Sequence, residues 1–326
     1  MNFQIEILIG TFIITVILAL IIIPILTKLK VGQIERTDGP KSHLKKQGTP
    51  TMGGIIILLG ITIATIFAAY YYTKKGEIVT AKRIIPLLFV AGGFGLIGFI
   101  DDFRKLVMHD TEGLKPAYKM LGLLVISVIY ILYLKNVLHV GTETYIPILK
   151  IYVRVPRSLY IIFAMFVMLG TTNAVNLTDG VDGLSTSVTT IIITCLVVIA
   201  SKLGITEVIT FGSVVCGANL AFLMFNLNPA KVFMGDTGSL LLGGIIASIS
   251  LYMKMPLLLL VIALIPVLET LSVILQVVYF KRTGHRMFKM APLHHHFELS
   301  GWRENKVVSV FSVITLLLCI VGILIV

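Results

Sequence analysis

Apolar residues in this chain fall in long unbroken runs, not at the two-residue or 3.6-residue spacing of an element with one wet face. A hydrocarbon layer of ~30 Å takes about 20 residues of helix. About ten runs reach that length, near 3–27, 52–72, 84–103, 117–135, 158–174, 185–201, 206–226, 237–253, 256–281 and 305–326. The pattern therefore predicts an all-α polytopic membrane protein, read as one integral membrane domain over 1–326. The gaps are too short for a separate soluble domain, so any site must be assembled from helix ends and loops. Two places break the pattern. Segment 136–157 alternates and predicts a short β-hairpin. Pro266, three residues before the one acidic residue deep in a span, Glu269, predicts a kinked or interrupted ninth helix lining a polar cavity, with a buried structural Glu as the plain alternative.

Composition agrees with this reading. Hydrophobic residues make up 57% of the chain and charged residues 13%, whereas a water-facing surface needs roughly 25–35% charged residues. An ordinary soluble enzyme is excluded. Cys195, Cys216 and Cys319 lie in apolar runs without a C-x-x-C pair, which suggests neither a disulfide framework nor a thiolate metal site. The first run lacks a preceding Lys or Arg and a small-residue cleavage site, so it reads as a retained span. When each Lys and Arg is assigned to its nearest loop, 17 of 27 fall on the odd-numbered loops. The positive-inside rule then places those loops in the cytoplasm and both termini outside, with the hairpin on the periplasmic side. Lys74, Lys75, Lys82 and Arg83 are on the minority side. No nucleic-acid partner is expected.

The polar clusters are more one-sided than the charges. KSHLKKQGTPTMGG (41–54), FIDDF (99–103), NAVNLTDGVDG (173–183), FNLNPAKVFMGDTGS (225–239) and PLHHHFE (292–298) all occupy odd loops. Asp101 and Asp102 end the third span, where the helix dipole disfavours two adjacent carboxylates. They call for a cation, which is either Arg104 and Lys105 or a hard divalent ion such as Mg²⁺. Asp236, in G-D-T-G-S before an apolar helix, reads as an N-cap. The same free amides, with Asn226, Asn228 and Phe233 nearby, also suit a phosphate-bearing ligand. Asn173, Asn176, Asp179 and Asp182 crowd eleven residues, forming either a hydrogen-bonded turn or a ligand site. The Asn176-Leu177-Thr178 sequon is discarded because its loop is short and cytoplasmic. His294, His295 and His296 lack zinc spacing; beside Lys281, Arg282, Arg286, Lys289 and Arg303 they form a protonatable surface facing anions, or a basic loop on lipid headgroups. The G-x-G-x-x-G of 93–98 has no preceding strand and reads as close helix packing. Carboxylates, lysines, amides and imidazoles on one face, without a P-loop, suit phosphoryl chemistry between a phosphorylated donor and a lipid. A transporter would instead place its charges near the midplane.

At GTPTMGG (48–54), Asp101-Asp102, NAVNLTDGVDGL (173–184), FNLNPAKVFMGDTGSL (225–240) and PLHHHFE (292–298) the sequence closely resembles the phospho-N-acetylmuramoyl-pentapeptide transferase family. This is a branch of the polyprenyl-phosphate N-acetylhexosamine-1-phosphate transferase superfamily, and the likeness runs over nearly the whole chain. GTPTMGG and HHHFE point to the muramoyl-peptide branch. The resemblance implies transfer of phospho-MurNAc-pentapeptide from UDP-MurNAc-pentapeptide to undecaprenyl phosphate in the bacterial plasma membrane, giving lipid I and UMP, with Mg²⁺ as cofactor. It implies that Asp236 holds the metal, that Asp101 and Asp102 serve the metal or the lipid phosphate, and that His294 assists catalysis. It also implies a donor site of Lys46, Thr51, Lys119, Asn176, Asp179, Gly180, Asp182, Asn226, Phe233, Gln276, His295 and His296, with Phe233 as uracil platform, and a homodimer. The alternatives are a sister enzyme that moves N-acetylglucosamine-1-phosphate to the same lipid, and a membrane transporter or flippase.

Overall fold

The computed structural model describes residues 2–29, 48–106, 108 and 113–326. Its helices are α1 (Asn2–Lys28), α2 (Gly54–Lys74), α3 (Ile78–Leu106), α4 (Pro116–Asn136), α5 (Arg157–Thr178), α6 (Leu184–Lys202), α7 (Thr206–Asn226), α8 (Gly235–Tyr252), α9 (Leu259–Ile262), α10 (Leu264–Thr283), α11 (Leu293–Glu298) and α12 (Glu304–Ile325). Among the described residues nine of these, α1 to α7, α10 and α12, are long and apolar enough to cross a membrane. The remaining apolar run is α8, which begins with the polar G-D-T-G-S stretch and is buried from Thr237 to Tyr252. The chain is thus an all-α polytopic membrane protein with one small hairpin.

Lipid-facing and protein-facing sides are legible helix by helix. On α1, Ile5, Ile9, Ile13 and Ile17 are exposed, while Ile7, Thr11, Thr15 and Ala19 are buried. Apolar burial cannot hold helices together when the surroundings are equally apolar, so small residues and close van der Waals packing must do it. The α3–α8 contact illustrates this: a Cβ on Gly98 would stand 2.2 Å from the carbonyl oxygen of Asp236. Gly95 and Gly98 therefore let α3 approach α8, while Gly93 faces Ile126 of α4, close helix packing as their context suggests. Several buried hydroxyls turn back onto their own helix, as in Thr172 Oγ1 to the Met168 carbonyl at 2.7 Å.

The ninth run is interrupted, as expected: it comprises a 3-10 turn at Pro256–Leu258, then α9, a break at Ala263, and α10. Pro266 lies in the first turn of α10, where a missing N–H costs little, and it deprives the Ile262 carbonyl of a helical donor. The Cys319 thiol lies 3.9 Å from that carbonyl. The segment 173–183 is not wholly a loop, since α5 runs on to Thr178 and carries Asn173 and Asn176 on its last turns. The segment 99–103 is likewise helical, and α3 continues past it to Leu106.

The hairpin forms within the expected segment. Strands β1 (Glu143–Ile146) and β2 (Ile151–Arg154) pair antiparallel with Glu143 opposite Arg154. The Tyr145 N–H donates to the Lys254 carbonyl at 2.8 Å, which fastens the hairpin to the turn after α8. Lys254 Nζ also reaches Glu143 Oε2 at 2.7 Å, and this hydrogen bond holds the Glu143 carboxyl below its ordinary range.

Candidate active site

The site begins where α3 ends against the start of α8. Asp102, 5% exposed, accepts the Asp236 N–H on Oδ1 at 3.1 Å, and on Oδ2 the Thr237 N–H at 2.9 Å and the Thr237 hydroxyl at 2.6 Å. A helix leaves its first amides without partners, and a carboxylate there also meets the positive end of the dipole. Asp102 supplies this cap from a distant part of the chain. Asp236 is therefore not the N-cap: α8 starts at Gly235, Met234 holds the cap position, and no side chain of α8's own N-terminus caps it. Asp236 lies in the first turn with its carboxylate turned outward to other groups.

Those groups come from α3, α4 and α5. Asp236 Oδ2 receives Lys105 Nζ at 3.1 Å and Lys119 Nζ at 2.9 Å. Asp101 Oδ2 receives the same two ammonium groups at 2.8 and 3.3 Å. Asp101 Oδ1 accepts the Leu114 N–H at 2.7 Å, and Asn176 Nδ2 donates to Asp236 Oδ1 at 2.7 Å. Two carboxylates, two lysines and an amide drawn from positions 101 to 236 thus form one linked cluster. The sequence reading treated Lys105 only as a neutralising surface charge. Its signal was present in the spacing, because a Lys four residues after Asp101 shares its helix face.

The remaining motifs pack around this cluster. The Phe233 N–H donates to the Pro50 carbonyl at 2.8 Å, and the Gly53 and Gly54 amides donate to the carbonyls of Phe233 and Met234 at 2.8 and 2.9 Å. The 48–54 and 225–239 segments are therefore zipped together by backbone, leaving Phe233 partly exposed and Thr51 buried. A Cβ on Gly235 would stand 3.1 Å from Thr51 Oγ1 and 2.7 Å from Asp102 Oδ2, so Thr51 borders the capped helix start. Asp182 Oδ2 accepts Asn228 Nδ2 at 3.0 Å and the Ala230 N–H at 3.1 Å. Asn226 accepts the Thr186 hydroxyl at 2.7 Å and donates to the Val232 carbonyl at 3.0 Å, so it braces the loop before α8. Asp179 caps α5, and although part of its surface reaches solvent, its carboxyl is pushed up to about 8. Burial is the main cause, followed by the negative charges of Asp236, Asp102 and Asp182.

The three histidines point three ways. His294 is buried and its ring sits on Gly180: a Cβ there would meet His294 Nε2 at 2.1 Å. His295 Nδ1 lies 3.0 Å from Glu298 Oε2. His296 Nδ1 accepts the Lys289 N–H at 3.2 Å. Gln276 accepts the Met287 and Phe288 amides at 3.0 and 2.9 Å, so its carboxamide braces the 284–292 segment. Contacts thus join Asp101, Asp102, Lys119, Asn176 and Asp236 directly, with Thr51, Asp179, Gly180, Asp182 and His294 one layer out. Gln276, His295 and His296 stand on the neighbouring α10–α11 segment, and Lys46 lies outside the described residues. Glu269, read only as a polar residue in a span, reaches His294.

A cation fits this donor set. Among the described residues no three His, Cys, Asp or Glu side chains are arranged to hold a metal by themselves. Mg²⁺, however, is commonly held by one or two carboxylates plus substrate phosphate oxygens. Asp236 and Asp101 offer hard oxygens that already converge on shared cationic groups.

Comparison with known proteins identifies the chain's relatives. Residues 84–254 match the profile of glycosyl transferase family 4, and residues 46–58 match phospho-N-acetylmuramoyl-pentapeptide-transferase signature 1. A relative from Acetivibrio thermocellus is 49% identical over 314 residues, covering 96% of this chain and 92% of its own. One from Clostridium perfringens strain 13 is 50% identical over 312 residues, covering 96% and 95%, and one from Staphylococcus carnosus is 48% identical over 314 residues, covering 95% of each. All three are named phospho-N-acetylmuramoyl-pentapeptide-transferase.

Proposed function

We propose a reaction for this site on the premise that the chain belongs to the phospho-N-acetylmuramoyl-pentapeptide-transferase family, whose members match about half of its residues along nearly its whole length. It transfers phospho-MurNAc-pentapeptide to a lipid carrier in the membrane, a step of peptidoglycan synthesis. The donor is UDP-MurNAc-pentapeptide, the acceptor undecaprenyl phosphate, and the products lipid I and UMP. The observation that carries this reading is the convergence of Asp101 and Asp236 on Lys105 and Lys119. Such a cluster can receive a pyrophosphate by exchanging carboxylate partners for phosphate oxygens.

The acceptor is a phosphate monoester with a second pKa near 6, so it is mostly a dianion at neutral pH and gains little from a general base. Direct in-line attack follows. An oxygen of the lipid phosphate bonds to the sugar-linked phosphorus of the donor, the P–O bond to the bridging oxygen breaks, and UMP leaves with that electron pair. Lys105 and Lys119 hold the phosphates and offset their charge. Asp101, fixed through Oδ1 by the Leu114 amide, turns Oδ2 to orienting the acceptor or taking its last proton once the lysines that it now holds move to the phosphates. Asp102 holds the start of α8, and with it Asp236, in place. Asp236, with Asp101 beside it, would hold Mg²⁺, which would supply positive charge against the pyrophosphate. Phe233 offers its partly exposed ring to the uracil, and Thr51, Asn176, Asp179, Gly180 and Asp182 surround the donor.

The site opens to the cytoplasm, with both termini outside; the excess of Lys and Arg on the odd loops supports this orientation. The working unit is a homodimer, by family likeness. The test is UMP release by purified protein given each UDP-sugar, with and without undecaprenyl phosphate and Mg²⁺. Release that requires the muramoyl-pentapeptide donor, the lipid and the metal supports the reading. Release with UDP-N-acetylglucosamine instead indicates the sister reaction. UMP exchange into the donor without lipid would replace direct attack by a covalent enzyme route.

A further inference from the structure

Glu269 and His294 form the most deeply buried ionisable pair near the site, 0% and 1% exposed. Glu269 Oε1 accepts the main-chain N–H of His294 at 3.2 Å and stands 3.2 Å from Nδ1 of the same residue's ring. Among the described residues Glu269 Oε2 and both ring nitrogens of His294 have no hydrogen-bond partner, so the Glu269–Nδ1 approach is a close charge contact only. Leaving polar atoms unpaired in a buried place is costly, so a fold that does so beside a site points to a role there. The ring also has a direction: its Nε2 abuts Gly180, in the turn that carries Asp179 and Asp182.

We propose that Glu269 is the positioning residue for His294, one oxygen accepting from its backbone and facing its ring at Nδ1 so that Nε2 is presented to the 179–183 turn. Three features make this more than a packing contact. The acceptor comes from a long helix, α10, whereas His294 belongs to the six-residue α11, which cannot orient a ring unaided. A carboxylate 3.2 Å from Nδ1 favours the tautomer with its proton on that side, leaving Nε2 to meet a ligand. Gly180 has no side chain to push the ring aside. The kinetic consequence rests on the transferase reading above, while the contact itself does not.

Glu269→Gln and Glu269→Ala, each with His294 intact and in a His294→Ala background, test the assignment in the full chain in detergent. Misplacing a reacting group by about 1 Å costs ~10²-fold in rate. Glu269→Ala should therefore lower kcat by about that factor, with KM for both substrates within about twofold of the starting protein. Glu269→Gln, which keeps an acceptor oxygen, should recover most of the loss. In the His294→Ala background Glu269→Ala should add nothing. Full additivity, or a Gln variant as poor as Ala, overturns the proposal. Unfolding midpoints of the same proteins give a second cycle independent of turnover: non-additive shifts support the pairing and additive ones overturn it. If the starting protein releases no UMP, the reaction reading fails, and the midpoint cycle alone decides the pairing.

Discussion

Removing the carboxylate of Asp102 should loosen the chain before it affects any chemistry. In Asp102→Ala, the Asp236 and Thr237 amides and the Thr237 hydroxyl lose their acceptor at a point where Thr237 is fully buried. Hydrogen bonds to a charged group contribute ~1.5–3 kcal/mol each, and a buried donor left bare costs ~1–3 kcal/mol. With water partly refilling the gap, the loss is roughly 3–6 kcal/mol. At about 2–4 °C per kcal/mol in chains of comparable size, the unfolding midpoint in detergent should drop by about 6 °C or more. Asp102→Asn keeps one oxygen for the Asp236 amide but turns an NH₂ towards the Thr237 amide, so it should fall between, at a cost of roughly 1–3 kcal/mol. The assay is thermal unfolding of the three proteins in one detergent, alongside UMP release. Turnover should fall in both variants, because Asp236 rides on the helix start that Asp102 holds. An Ala variant melting within about 1 °C of the starting protein would show that the cap carries no weight, and the account of Asp102 would be wrong.

Asp236→Asn should instead lose most turnover even at high Mg²⁺ while remaining folded in detergent; near-normal turnover would remove Asp236 from the metal site. Gly180→Ala places a Cβ 2.1 Å from His294 Nε2, an overpacking worth about 1–3 kcal/mol. It should lower both midpoint and turnover, and His294→Ala in the same chain should restore the midpoint though not the turnover. Asp179, with its carboxyl raised to about 8, keeps its proton in the folded chain at a pH where the unfolded chain has released it. Its contribution is present below about pH 4 and is lost as pH climbs through about 8. Midpoints measured with EDTA should therefore show Asp179→Asn gaining on the starting protein from pH 5 to 8, with the gap levelling above that; parallel curves would contradict the charge crowding around Asp179.

Much of this molecule was legible one residue at a time. A run of some twenty apolar residues has few stable options in lipid, so the spans could be read without knowing their neighbours, and α7 occupies the expected 206–226. The hairpin followed from alternation and the clustered motifs from their polarity. The misreadings concern residues whose role depends on a remote partner. Asp236 in G-D-T-G-S has the local look of an N-cap, yet the cap is Asp102, 134 positions earlier in the chain. Lys105 looked like a surface charge because its second carboxylate, Asp236, is 131 positions away.

The sequence by itself determined that the chain lives in a bilayer, roughly where it crosses, and which short polar stretches carry its chemistry. Local hydrophobicity and motif chemistry are properties of neighbouring residues, and the environment acts on them directly. Only the tertiary structure decided which oxygen caps which helix, that two lysines bridge two aspartates, and that Glu269 reaches His294. Those facts depend on ångström-scale approaches between helices far apart in the chain, such as the one Gly98 permits between α3 and α8. Close packing sets such distances for all the helices together, and no single stretch of sequence encodes them.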